Sequence, residues 1–210
     1  MIEYQVNVDE QLADIRKRLA GMEGKAENVL RKAIRNAGTS VRKSMLKAAR
    51  DRYAEADKKL LGAKTINVSQ QKNAMSVTLS AKGRPNDLSK FEHTPKKRGG
   101  KTPVAARVLA QNAMKQIGGT PKPFIAVMSN GHVAIMRRVP GEKYKYGPAF
   151  SLRAMSNWDL TRVESLYTIS TPQMLGSDDA VDAAKHEFME VLPEKIEWQL
   201  SKLMKKGAAK

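Results

Sequence analysis

The chain has 210 residues, 41% of them hydrophobic, with no cysteine and a formal net charge of +17. That is enough for one substantial core or two small ones, and the missing thiols exclude disulfides and cysteine-based zinc sites. The charge is concentrated: residues 61–153 hold 17 Lys/Arg against 3 Asp/Glu, a block whose field attracts polyanions and acidic protein surfaces without selecting among them.

The opening stretch, MIEYQVNVDE, has neither the basic start nor the apolar core of a secretory signal. No later run approaches the roughly 20 apolar residues that span a bilayer. A soluble chain made in the cytoplasm, with no membrane partner, is therefore expected. Ile2, Tyr4, Val6 and Val8 alternate as in a short strand. Asp9 then caps a helix with the stripe Leu12, Ile15, Leu19, Met22, punctuated by Gly21 and Gly24. A longer helix follows over about 25–53, its apolar stripe running through Val29, Ala33, Ala37, Val41 and Ala48. Its other face carries Arg31, Lys32, Arg35, Arg42, Lys43, Lys47 and Arg50, with Glu27 the only acid between 24 and 50.

From Thr65 the period changes to two. TINVSQ and AMSVTLS alternate, with Met75, Val77 and Leu79 on one face, and predict half-buried antiparallel strands. LSKFEH reads as a short helix or a strand, TPKKRGGKTP as an exposed loop rich in Gly, Pro and Lys/Arg, and VAARVL as a further strand. FIAVMSNGHVAIMRR predicts a hairpin at 124–139 with a two-residue Asn130-Gly131 turn, because both central residues of that turn need positive φ. This pairs Met128 with Val133, Ala126 with Ile135 and Phe124 with Arg137, and makes both faces apolar. A hairpin wet on one side would alternate with polar residues, so its second face needs a cover. Residues 140–171 give mixed signals and read as an inserted loop. A helix over 177–206 then starts with Ser177 as cap, places Asp178 and Asp179 in its first turn, and meets a kink or break at Pro193.

The order is helices over 9–64, a central antiparallel sheet over 65–139 and a terminal helix, without βαβ alternation. That predicts a single α+β domain over 1–210. Candidate chemistry is sparse. GGKTP ends like a phosphate loop, but Pro95 occupies the place of that motif's first glycine. His93, His132 and His186 lack ligand spacing, and Asp178, Asp179 and Asp182 are better explained as dipole compensation at a helix start than as metal ligands. No nucleophile has a base beside it. Neither an enzyme nor a cofactor is expected. Lys96, Lys97, Arg98 and Lys101 could hold phosphates by counterion release, although few aromatics are available to stack bases.

The hairpin FIAVMSNGHVAIMRR, the later SLYTISTPQMLG and the long acidic-capped helix after it occur in order, behind a basic helix at 25–53. Together they resemble the prophage minor tail protein Z family, the tail-completion proteins of long-tailed bacteriophages. The resemblance rests on residues 123–139 and 165–205, and within the second segment on Leu166, Tyr167, Pro172, Gln173, Met174 and Leu175. Thr168-Ile169 stands where Gly-Pro would follow Leu-Tyr, and 140–163 reads as an insertion. The resemblance implies a structural virion protein at the head-proximal end of the tail, in the neck, needed for head–tail joining. It also implies a ring of copies, sixfold to match a tail tube, touching tail terminator, tail tube or connector proteins. Phe124, Ile125, Ala126, Val127, Met128, Val133, Ile135 and Met136 are the expected interface. Lys96, Lys97, Arg98, Lys101, Arg137 and Arg138 are the expected contacts to an anionic partner, either acidic protein or genomic DNA. The rival reading is a cytoplasmic protein that binds nucleic acid without sequence preference through the basic centre.

Overall fold

The computed structural model describes residues 9–18, 23–72, 74–97, 102–128, 131–143 and 161–208. In chain order these form α1 (Asp9–Arg18), α2 (Glu23–Arg52), β1 (Asn67–Ser69), β2 (Thr78–Ser80), β3 (Pro85–Asp87), a 3-10 turn (Leu88–Lys90) and β4 (Glu92–Thr94). There follow β5 (Ala105–Arg107), β6 (Lys115–Gln116), β7 (Phe124–Val127), β8 (Val133–Lys143), β9 (Thr161–Ser165), β10 (Tyr167–Ser170), α3 (Thr171–Leu175) and α4 (Asp178–Ala208). The class is α+β, as the order of periodicities predicts. Among the described residues the single central sheet expected is replaced by four small ones, β1-β2, β10-β3, β4-β5-β6 and β7-β8-β9. Pro85, Pro95, Pro103, Pro121 and Pro123 fall at the start of or between these strands; a proline cannot donate to a ladder, so pairing is interrupted at those points. The expected strand at 2–8 and the residues Leu19, Gly21 and Met22 lie outside the described residues.

The chain divides into two compact units, one of Met1–Arg52, Lys58–Arg84 and Ser170–Lys210, the other of Tyr53–Asp57 and Pro85–Ile169. In the first, α2 and α4 are long antiparallel partners. Arg52 Nη1 meets Asp179 Oδ2 at 2.5 Å, and Ser44 Oγ donates to the Ala183 carbonyl at 3.4 Å. Toward the other end, Asn28 and Lys32 share a groove with Gln199 and Lys202. The buried stripe of α2 is rich in small residues (Ala26, Ala33, Ala37, Ala49), which lets Phe188, Leu192, Ile196 and Leu200 of α4 come close. Gly24, expected as a break, lies inside α2. Ile15 of α1 is 1% exposed. Arg18 grips Glu197 with both guanidinium nitrogens, one pair at 2.8 Å, and holds that carboxyl below its usual range.

The β1-β2 ribbon pairs Val68 with Leu79, and Val77 and Leu79 are buried. Gly38 makes room for it on α2: a Cβ there would sit 2.9 Å from Val77 Cγ2 and 3.3 Å from Val68 Cγ1. At the other end of this unit, Ser170 caps α3. Its Oγ accepts from Gln173 N at 3.4 Å while Gln173 Oε1 accepts from Ser170 N at 2.9 Å, a reciprocal capping box with Pro172 in the first turn. Ser177 differs from its expected role. Its backbone carbonyl accepts from Val181 N, but its hydroxyl finds no partner, so it starts α4 without a side-chain cap. Nor does Pro193 divide α4, which is continuous. Pro193 and Met189, whose carbonyl loses its helical partner, are both exposed, so water can satisfy that carbonyl.

In the second unit β8 lies between β7 and β9. Its register to β9 shifts between Arg138 and Lys143, where Pro140 and Gly141 (φ +77) form the irregularity. Val104, Ile125 and Ile135 form the core, flanked by Leu88, Ile117, Val133 and Leu166. LSKFEH proves to be both a 3-10 turn and the start of β4, with Phe91 fully buried between them. The expected loop at 140–171 is structured after residue 160: β9 and β10 fill 161–170, while 144–160 lie outside the described residues.

Candidate interaction surface

The hairpin turn is one residue longer than the Asn-Gly preference suggests. Met128 N donates to His132 O at 2.8 Å and Gly131 N to Met128 O at 2.9 Å, with Gly131 at φ +78, so the closing pair is Met128 and His132, with three residues between them; of these three, 129 and 130 lie outside the described residues. A three-residue loop ending on a left-handed glycine is the next commonest solution after the two-residue turn. The register becomes Phe124↔Met136, Ile125↔Ile135, Ala126↔Ala134 and Val127↔Val133. A slip of one residue moves every β8 side chain to the opposite face from the one expected.

The corrected faces separate the eight expected interface residues. Ile125, Ile135 and Val133 point into the unit's own core, and Ile125 and Ile135 are only 4% and 0% exposed. On the second face the chain itself buries Ala134 and Met136, while Phe124, Ala126 and Met128 remain half-buried. Val127, on the same face as Ile125 but at the end of β7, is the most open of the eight at 48% exposure. The accessible apolar surface is therefore the β7 side of the sheet rather than a whole face. Among the described residues no strand pairs along the outer edge of β7.

The basic residues do not form one cluster. Arg138 lies over the Phe124 ring, 5.6 Å from its centroid. Arg137 donates from Nη2 to the Gly118 carbonyl at 2.7 Å, beside Gly119 (φ +114), where any Cβ would strike the guanidinium. Arg137 is thus a strap for its own unit. Lys96 and Lys97 follow β4, on a different sheet, and are exposed; Arg98 and Lys101 lie outside the described residues. Arg107, with a weaker pull from Lys96, holds the Glu92 carboxyl below its usual range.

The family-like segment has structural duties. Leu166 N donates to Ile135 O and its carbonyl accepts from Leu88 N, Met174 and Leu175 are fully buried, and Pro172 and Gln173 build the cap of α3. Tyr167, at 65% exposure, and Gln173 are the exposed members of this set. Among the described residues no group of His, Cys, Asp or Glu could hold a metal. Asp179 pairs with Arg52, Asp182 with Lys185, and His132 approaches Asp87 at 3.5 Å.

Sequence reasoning missed the outer surface of α4. Met189, Trp198 and Met204 are exposed, with Lys202 over the Trp198 ring at 4.9 Å. All three fall off the stripe Ala180, Ala184, Phe188, Leu192, Ile196, Leu200, which was the available signal. Among the described residues no helix is long and apolar enough to cross a membrane. No protein-family model, curated protein or solved structure matches this chain.

Proposed function

We propose that this chain is a non-catalytic structural protein of a bacteriophage virion, completing the head-proximal end of the tail as a ring and enabling head–tail joining. The observation that carries the reading is the apolar edge of β7, with Phe124, Ala126 and Met128 half-buried and Val127 open. An unpaired apolar edge is an aggregation liability unless something covers it, and a neighbouring copy or adjoining neck protein would do so. The order of the hairpin, the capped α3 segment and α4 supports the same reading through its likeness to tail-completion proteins. In a ring, exposed Lys96 and Lys97 would meet either DNA in the lumen or acidic surfaces of adjoining rings, and Arg98 and Lys101 add charge to the same stretch of sequence. The second is favoured, because a channel through which DNA slides gains little from tight phosphate binding.

The test replaces Lys96, Lys97, Arg98 and Lys101 together with Ser in a phage that depends on this chain. Head–tail joining should fall while DNA retention by the purified protein at low salt stays low and changes little. Normal joining would remove the segment from the mechanism. Normal joining with loss of a steeply salt-dependent DNA retention would favour the nucleic-acid reading instead.

A further inference from the structure

The two long helices of the first unit carry opposite charges on their outer sides. On α2, Arg35, Lys43 and Lys47 are exposed on the outer side, away from the groove that Lys32 shares with α4, and none forms an ion pair among the described residues. On α4, Asp182, Glu190 and Glu194 are exposed and Glu187 is half-buried, again opposite the buried stripe. Their local partners are weak: Lys185 to Asp182 at 3.5 Å, His186 to Glu190 at 3.4 Å and Lys195 to Glu194 at 3.2 Å, all between near neighbours in sequence. Such exposed pairs contribute little and leave the carboxylates open to a stronger partner. At 1.5 Å per residue the basic stripe from Arg35 to Lys47 and the acidic stripe from Asp182 to Glu194 each span about 18 Å. One chain thus presents two complementary surfaces of similar length.

We infer that copies of this chain associate head to tail, the α4 acidic face of one against the α2 basic face of the next. Two different patches that meet in this way form a heterologous contact, which generates a closed ring when the rotation closes. The inference rests on the ring reading and supplies its subunit contact. The occupant is a second copy because the complementary partner is built into the same chain, and opposed potentials both steer encounter and fix register. Exposed ion pairs across such a contact are screened by salt, so the association should be strongest at low ionic strength.

The experiment measures the mass of the full chain by sedimentation from about 0.05 to about 0.5 M salt, a range over which the screening length falls severalfold. The wild-type chain should associate at low salt and dissociate as salt rises. Lys43→Glu with Lys47→Glu should give a folded monomer, as should Glu190→Lys with Glu194→Lys; helical circular dichroism checks the fold of both. Mixing the two variants in equal amounts should restore association, because every contact then finds opposite charges, and so should all four changes in one chain. A wild-type chain that stays monomeric at low salt overturns the inference, including the case in which Lys43 and Lys47 instead retain DNA. Association that survives both reversals overturns the helix-face contact but leaves the ring standing on another surface. Failure of the virion reading itself is seen separately, in head–tail joining.

Discussion

Phe188→Ala is expected to destabilise the first unit by about 3–5 kcal/mol, the usual range for emptying a buried aromatic site. Phe188 is 7% exposed on the stripe that α4 turns toward α2. It borders a small void of about 40 Å³ lined also by Ile34, Val41, Val77 and Leu79. Removing the ring enlarges that space, and the branched side chains of Ile34, Val41 and Val77 have few other rotamers with which to fill it; Met75 and Lys185 are the flexible members of the lining. The lining is apolar, and water entering it would find too few partners to compensate. Denaturant unfolding followed by helical circular dichroism should show a clear drop in midpoint. An unchanged midpoint would mean that this face of α4 is not held against α2 and the β1-β2 ribbon.

The second large effect separates two neighbours on one hairpin. Ile135→Asp places a carboxylate at a fully buried position between Ile125 and Val104, where an unpaired charge costs several kcal/mol. The second unit should fail to fold. Val127→Asp changes a residue that is 48% exposed at the end of the edge strand. It should leave the isolated chain folded and impair assembly, because there the charge is buried only by a neighbour. Ala126→Asp, at a half-buried site on the other face, should fall between the two. Solubility and unfolding of each variant, together with complementation of a phage lacking the wild-type chain, provide the readout. Normal assembly by Val127→Asp would remove the β7 edge from the interface.

How far these features were legible depends on whether the physics that fixes them is local. The stripes of α2 and α4 place both helices to within a few residues, because burying one face of a long helix demands that spacing. The β1-β2 ribbon was legible for the same reason at period two. The hairpin exists as expected, but its register does not follow from Asn130-Gly131. Gly at the second of those positions satisfies both a two-residue turn and the three-residue loop that forms, and the choice is made by which β8 residues reach the core. Ile135, rather than Ala134, supplies the larger apolar side chain to pack with Val104 and Ile125. The strands β9 and β10 were hidden because TRVES and YTIS are polar on their outer sides and gain their pairing from distant segments, β8 and β3. The cap of α3 is written in plain form as Ser170-Thr-Pro-Gln173, but Ser177 followed by two acids is the stronger sequence signal, and its hydroxyl makes no capping bond. The charge stripes needed the fold, since only the packed pair α2 and α4 shows which charges share an outer side.

The most direct test of the central claim is electron microscopy of a lysate from a phage whose gene for this chain has been deleted. The expected result is DNA-filled heads and full-length tails lying apart, with joining restored when the purified chain is added. Intact tailed particles of normal infectivity in that lysate would contradict a role in completing the tail.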